Sequence, residues 1–508
     1  LLARSIRRQR EINLRLARGA SRIRVLRQLL TEGILFSVLG GITGLVLGRW
    51  CSHGLLYLAS PGPVPLAVDV SADARVLMFA SLLTIATGVL FSLAPMWHAS
   101  RMELNASLQA MSRSLSGSIM RRSFGRLLLV SQVALSLLLL VGAGLLVQTL
   151  RNLKNFDKGF REDHVLLVNV WFRLAGLGPA KTMTVYQELL DRISALPGVR
   201  SASLALQTPL SGNTDTTDIS IPGHPAPWGT DMEVETMVVT PRYFETMGMS
   251  LAQGRGLTDA DRANSPKVAV INEAMARKFF DPKALDRRFR AGGHDSELTV
   301  VGVVKNAKLL NLRDEARPVM YLPLAQSPTL LKGIQVRTFG DPVLLASQIR
   351  QIVHNVNPNL PVTQVNTLHD QVDQSLVEER LVAILSSAFG SLALLLVCIG
   401  LYGVLSQGVA QRTAEIGVRM ALGAERWQVQ WLVLREAFLL VLVGITIGLP
   451  TALLATRGLT HMLFGLSPAN PLILSAACVA IVIVAALAGY MPARRASRVD
   501  PIVALRYE

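Results

Sequence analysis

Six apolar stretches divide this chain, at about residues 34–57, 76–98, 127–150, 381–404, 438–459 and 471–490. Each is long enough to cross roughly 30 Å of hydrocarbon, which takes about 20 helical residues. Inside a bilayer the backbone amides have only one another as partners, so each stretch is expected to be a helix. Between the third and fourth lies one large polar block, residues 151–378. The 508 residues are 50% hydrophobic and 17% charged, with a formal net charge of +16. That balance fits neither a soluble enzyme nor a protein lying wholly within a membrane. The expected fold class is an α-helical polytopic membrane protein, with about six transmembrane helices and one α+β extracytoplasmic domain.

Arginine sets the orientation, because short loops rich in Lys and Arg stay cytoplasmic. The first thirty residues hold nine arginines against a single acid, Glu11. Alternating the spans from a cytoplasmic start places Arg101, Arg113, Arg121, Arg122 and Arg126 inside. Arg412, Arg419 and Arg426, then Arg494, Arg495, Arg498 and Arg506, follow on the same side. Charge and parity agree at each step, and the polar block falls outside. Topology and anionic lipid account for the positive charge, with no nucleic-acid module beside it. The three cysteines, Cys51, Cys398 and Cys478, lie in or beside spans and offer neither a disulfide framework nor a paired metal spacing.

The chain also repeats itself. Glu11-Ile12-Asn13-Leu14-Arg15-Leu16-Ala17-Arg18-Gly19-Ala20 returns as Glu415-Ile416-Gly417-Val418-Arg419-Met420-Ala421-Leu422-Gly423-Ala424, each copy just ahead of an apolar stretch. At a constant offset of 404 the pairing continues through Glu32 and Glu436, Gly40 and Gly444, and Gly44 and Gly448, giving 14 identities over positions 11–45. A second repeated element follows the last span of each half: Pro95-Met96-Trp97-His98-Ala99-Ser100-Arg101 parallels Pro492-Ala493-Arg494-Arg495-Ala496-Ser497-Arg498. Residues 1–112 thus read as the tail of an earlier unit, with a first span and outer domain expected upstream of Leu1. The glycines Gly40, Gly44 and Gly48, like Gly444 and Gly448, sit four apart, a spacing that suits close helix packing.

In the second copy Arg412, Glu415 and Arg419 are spaced i, i+3, i+7 on one predicted face. Glu415 and Arg419 stand in the favoured acid-before-base i, i+4 order. Ile416 and Met420 line the adjacent face, Gly423 supplies the left-handed residue that ends a helix, and the chain restarts at Glu425 through Trp427 and Trp431. The expected product is a helical hairpin on the inner membrane surface, and its recurrence before a glycine-bearing span points to a docking element.

Within the polar block, hydrophobic periodicity predicts strands at 164–172, 199–206, 268–271, 298–304, 319–322 and 362–365, and an extended stretch at 237–240 leading to a short helix at Tyr243 and Phe244. Helices are expected around Leu189–Leu196, Asn272–Phe280 and Val343–His354. No Pro or Gly falls between Thr367 and Phe389. The fourth span is therefore expected to continue outward as one rigid helix through Leu368, Val372 and Leu376. The third should run on through Leu150, Leu153 and Phe156. Catalytic motifs are missing from the sequence: no Gly-Lys pair exists to build a phosphate loop, and there is no His-Glu-x-x-His, no Gly-x-Ser-x-Gly and no Cys/His cluster of zinc type.

The motif Glu-Ile-x-x-Arg-x-Ala-x-Gly-Ala before a span, with the terminal Pro492-Ala493-Arg494-Arg495-Ala496 through Asp500-Pro501 to Ala504-Leu505-Arg506, resembles the FtsX-like permease domain of ABC transporters of the MacB and LolC/LolE type. The stretches 241–248, Gly254-Arg255, 272–276, 301–304 and 319–323 are similar to signatures of the MacB-type periplasmic core domain. The duplicated arrangement looks most like the large acidobacterial-type permeases. That resemblance implies four parts: 1–112, the C-terminal part of a first permease domain; 113–150, the helix opening the second unit; 151–378, the periplasmic core domain; and 379–508, the second permease domain.

It further implies a bacterial inner-membrane permease subunit, with cytoplasmic termini and a periplasmic domain, that passes the work of a partner ATPase to that domain by mechanotransmission. The cargo class implied is amphipathic envelope material: drugs, peptides or lipoproteins. ATPase coupling is implied at Glu415, Arg419, Leu422 and Gly423, with Glu11, Arg15 and Gly19 as counterparts. The first copy departs in carrying Arg18 where the second has Leu422. No catalytic residue, metal or cofactor is expected in the chain itself, since ATP would bind the partner. Expected partners are a cytoplasmic ABC ATPase and the lipid bilayer, with room for a second permease copy or a periplasmic or outer-membrane protein, and no nucleic acid. An FtsX-like regulator of cell-wall hydrolases and a non-transporting scaffold are the competing readings.

Overall fold

The computed structural model describes residues 22–59, 73–100, 114–176, 178–212, 214–222, 232–280, 283–292, 297–458 and 460–498. The chain divides into two compact units, Leu1–Arg151 with Glu379–Glu508, and Asn152–Glu378. In the first unit, helices α1 (Arg22–Ala59) and α2 (Ala74–Ser100) pack against each other. Their close approach falls on Gly41, where a Cβ would lie 2.8 Å from Thr84 Oγ1, and on Gly88, where it would lie 2.7 Å from Ser37 Oγ. The positions expected for it, Gly40, Gly44 and Gly48, have nothing within 4 Å. Gly41 stands about 100° around the helix from Gly40, so the i, i+4 stripe looks past the contact face. Helix α3 (Ser114–Asn155) takes in Leu150 and Leu153 and stops one residue short of Phe156.

Among the described residues five segments are long and apolar enough to cross a membrane: Leu30–Gly54, Gly125–Asn155, Val377–Gln411, Arg426–Gly458 and Pro471–Ala496. At the second expected span, a shorter apolar segment, Ala74–Val89, lies on α2.

The second unit begins inside the last turn of α3, where Leu153 is buried and Lys154 Nζ lies 3.2 Å from the Asp373 carboxylate. Buried Arg337 then pins the incoming chain: its Nη2 and Nη1 donate to the carbonyls of Arg161 and Asp163, and its Nε donates to that of Thr246. In chain order the unit contains β1 (Val165–Val170), α4 (Pro179–Ser194), β2 (Val199–Ala205), β3 (Asp215–Ser220), β4 (Glu233–Val239), α5 (Tyr243–Met247), β5 (Leu251–Gly254), β6 (Val268–Asn272) and α6 (Glu273–Phe279). It continues with β7 (Arg288–Ala291), β8 (Leu298–Val304), β9 (Val319–Pro323), β10 (Gly333–Thr338), α7 (Ala346–Val356), β11 (Val362–Thr367) and α8 (Leu368–Ser375).

The strands run β11-β1-β10-β2-β4-β3-β7-β8-β6-β9, with β5 on β8. Strand β4 also pairs in parallel with β9, so β4, β3, β7, β8, β6 and β9 close into a ring. The aromatic cluster Tyr243, Phe244 and Tyr321 joins α5 to β9, with Phe244 and Tyr321 centroids 5.1 Å apart. Asn272 caps α6 by accepting from Met275 N–H, accepts also from Val319 N–H, and donates to the Arg317 carbonyl. One buried amide thus satisfies three backbone groups from two segments.

The expected single rigid helix through Leu376 is replaced by two. Helix α8 ends at Ser375 and α9 begins at Val377, ending at Gln411. The Ser375 hydroxyl donates to the Val372 carbonyl, the acceptor that a continuing helix would offer to Leu376 N–H. That N–H turns to Asp373 instead, and the Leu376 side chain is buried. After α9 come α10 (Thr413–Ala421), α11 (Arg426–Gly458) and α12 (Pro471–Ala496).

Leu129, Val133, Leu137, Val141 and Leu145, four apart along α3, form one side of a core shared with α9, α11 and α12. Lipid tails are as apolar as these side chains, so shape rather than water exclusion holds the helices together. Small residues set the distance: a Cβ on Gly448 would stand 2.9 Å from Ala134 Cα. Cys398 and Cys478 pack against this core as free thiols, and Cys51 is a free thiol on α1.

Candidate functional site

The second copy of the repeated element folds as a hairpin of α10 and the start of α11. At Arg412 the backbone leaves the helix, and Ile416 N–H bonds back to the Arg412 carbonyl to start the next one. Helix α10 runs for nine residues, Thr413–Ala421, and the turn that ends it carries Gly423, whose φ is +93°. Gly423 N–H bonds the Met420 carbonyl and Ala424 N–H bonds that of Arg419, both at 3.0–3.1 Å. This is a Schellman closure, and it explains why the motif ends in Gly-Ala. The Glu425 N–H then donates to the Gln428 side chain, half of a capping box, as α11 begins.

Two faces result. Ile416 is buried and Met420 packs beside it against Leu405, Val429, Val433, Ala493 and Ala496, so the ends of α9 and α12 hold the hairpin from within. Ser497 accepts from Gln430 Nε2, and Arg495 donates to the Tyr402 hydroxyl, fastening the end of the second repeated motif to the same place. On the opposite face Glu415, Val418, Arg419 and Leu422, at i, i+3, i+4 and i+7, are all exposed, Leu422 to 83%. Arg419 Nη2 donates to Glu415 Oε1 at 2.7 Å. Each member of this pair is about half exposed, so the pair contributes a few tenths of a kcal/mol, roughly 0.3–0.5. Such a pair orders a surface more than it stabilises a fold.

Arg412, expected on the face of Glu415 and Arg419, is elsewhere. Lying outside α10, it reaches Glu436 of α11 at 3.4 Å, and the same carboxylate takes Arg126 of α3. Neither Glu436 nor Arg126 is among the site residues expected from the sequence. The available signal was Glu436 repeating Glu32, an acid kept at equal distance behind both copies of the motif. The counterparts Glu11, Arg15 and Gly19, with Arg18, lie outside the described residues, as do residues 499–508 of the terminal motif.

Residues 127–383 match the MacB-like periplasmic core domain, and residues 2–104 and 387–501 match the FtsX-like permease C-terminal domain. The chain is therefore a membrane permease carrying a MacB-like core domain. It belongs to the MacB/FtsX family of ABC transporter permeases.

YvrN of Bacillus subtilis, an uncharacterized ABC transporter permease, is 27% identical over 350 residues, which are 65% of this chain and 81% of YvrN. The macrolide export ATP-binding/permease protein MacB 1/2 of Paracoccus denitrificans is 28% identical over 327 residues, 62% of this chain. The chain spans about half, 48%, of that relative's length. The periplasmic region of MacB from Actinobacillus actinomycetemcomitans aligns with a TM-score of 0.31 and 12% identity, covering 43% of this chain and 94% of that one.

Proposed function

We propose that this chain is the permease subunit of an ABC-type exporter or extractor, driven by a separate cytoplasmic ATPase that docks on the α10 hairpin. The observation that carries the reading is the two-faced hairpin: its inner face is packed against the ends of α9 and α12, while its outer face offers an apolar knob, Leu422, beside an ordered ion pair. Leu422 is joined on this face by exposed Val418, so apolar surface and a charge pair stand together, a combination that suits a protein partner. Glu415, Arg419 and Leu422 form the contact, Gly423 fixes its shape, and Glu11, Arg15 and Gly19 form a second, altered one.

In this reading the chain sits in the inner membrane with the hairpin and both termini inside and residues 151–378 outside. ATP stays on the partner. Movement of α9 and α3 passes to the outer domain through covalent continuity, directly along α3 and across the Leu376 break into α8. Relatives named for macrolide, syringafactin and pyoverdine export support amphipathic envelope material, drugs, peptides or lipoproteins, as the cargo class. Residues 1–112 then serve as the C-terminal part of a first permease domain and 379–508 as the second.

The test is a cysteine in place of Ala424, crosslinked in native membranes. Capture of an ABC ATPase supports the proposal, and its absence with the cysteine labelled by soluble reagents overturns it. Cargo-dependent ATP turnover by the captured pair separates transport from hydrolase regulation.

A further inference from the structure

The outer domain contains a cleft of about 440 Å³ between the end of the β1 strand, the turn after β2 and helix α8. That size is within the range of small-molecule sites. Its lining is mostly polar and almost uncharged. Nine of its twelve lining residues carry an amide or hydroxyl, none is acidic, and Lys332 is the sole cation among them. Its floor is built: Gln371 donates to Thr208 Oγ1 and to the Pro209 carbonyl while accepting from Asn366 Nδ2.

One lining side chain is left over. Gln207 is only 5% exposed, and its Oε1 carries no hydrogen bond, whereas buried amides are normally satisfied. Beside it Leu210 is held at φ +59°, a conformation disfavoured for leucine, by a bond from its N–H to the Leu309 carbonyl. Backbone strain of this kind collects where a site is being shaped. At the rim Trp171 leaves 55% of its surface in solvent.

We propose that this cleft binds a neutral oligosaccharide. Amides and hydroxyls supply donors and acceptors side by side, which matches a ring of sugar hydroxyls, each of which is both. The indole of Trp171 offers the flat apolar surface on which the C–H face of a pyranose stacks. A charged ligand would lack counter-charges here apart from Lys332, and a lipid tail would strip water from nine polar groups without replacing their bonds. A peptide would need apolar subsites, and the one aliphatic lining residue, Leu210, is buried. The occupant would touch Gln374 and Ser375, the last residues of α8 before the Leu376 break, so sugar binding would bear directly on the helix that leads into α9. This inference does not depend on the ATPase reading.

The full chain in lipid nanodiscs, free of sugar-headed detergent, is titrated calorimetrically with triacetylchitotriose and with maltotriose. Saturable binding of at least one is expected, weakened about tenfold by Trp171→Ala and by Gln207→Leu. Gln253→Leu, on exposed strand β5, should leave it unchanged. Trp171 is exposed, so its variant keeps the fold if Gln207→Leu does not. The proposal is overturned if neither sugar binds, if Trp171→Ala binds as tightly as the parent, or if triglycine displaces the sugar.

Discussion

Val133 fills the space in front of Gly444: a Cβ at that glycine would fall 2.5 Å from Val133 Cγ1 and 3.3 Å from the Val130 carbonyl. Helices α3 and α11 meet at this point because one of them has no side chain there. Gly444→Leu must therefore push the helices apart, forfeiting contacts along the α3 stripe, at a cost of about 1–3 kcal/mol. Thermal unfolding of the purified chain in nanodiscs should show a lowered midpoint. An unchanged midpoint would mean the helices do not pack in this register.

Glu436 bridges two arginines from different elements, Arg126 of α3 and Arg412 at the start of the hairpin. Glu436→Gln keeps the shape and removes the charge that holds the cations together. The side chains are 30–41% exposed, so the loss is discounted for screening to about 1 kcal/mol. Amide hydrogen exchange across residues 413–421 should quicken roughly fivefold as the hairpin loosens. Equal exchange in the two proteins would rule out Glu436 as the hairpin's anchor.

Much of this was legible beforehand, for reasons that differ by element. The long apolar helices were visible because a bilayer demands length and composition together. Strands β6 and β8 were visible because valine and isoleucine dominate them, β9 because it is a short apolar run, and β2 because its apolar and polar residues alternate. Strand β10 escaped because Gln335 and Arg337, both buried, break its apolar run with polar groups that bond to other elements, Gln335 Oε1 accepting from Ser203 and Arg337 Nε donating to the Thr246 carbonyl. Strand β5 has no buried residue at all, and β3 little more. The Leu376 break was hidden because sequence rules look for Pro or Gly, whereas here a serine hydroxyl takes the carbonyl that the next turn needs. At the hairpin, periodicity placed Glu415, Arg419 and Ile416 on their proper faces but misplaced Arg412, whose partner Glu436 lies on another helix.

Asp261 should give the outer domain an acid-sensitive corner. Burial pushes its carboxyl up, but Arg255, bonded through both terminal nitrogens at 2.8 Å, and the Thr258 N–H and hydroxyl outweigh burial and hold it below the usual carboxylate range. A carboxyl lowered on folding contributes stability that is fully present above its unfolded value and lost as pH falls through the folded one. Asp261→Asn should therefore speed hydrogen exchange across residues 255–262 at neutral pH. The gap between mutant and parent should close as the pH drops below the ordinary carboxylate range. A gap that persists in strong acid would mean the ion pair is not what holds this turn.

Reversing charge at the exposed hairpin face separates docking from folding. Glu415 touches Arg419 and solvent, not the core, so Glu415→Arg removes one half-exposed pair and places two like charges at i, i+4, a cost of only a few tenths of a kcal/mol, about 0.5. Insertion and thermal midpoint should be essentially those of the parent. A partner matched to the original surface would instead meet a reversed charge beside Leu422, and like-charge contacts at an interface cost several kcal/mol, roughly a hundredfold or more in affinity. Coupling of the ATPase to the permease should be lost in membranes where the protein is present at normal abundance. Leu422→Ala should weaken capture without altering charge, because it removes the knob but leaves the pair. If Glu415→Arg retained full coupling, the exposed face of α10 would not be the docking surface, even though the hairpin's inner packing would stand.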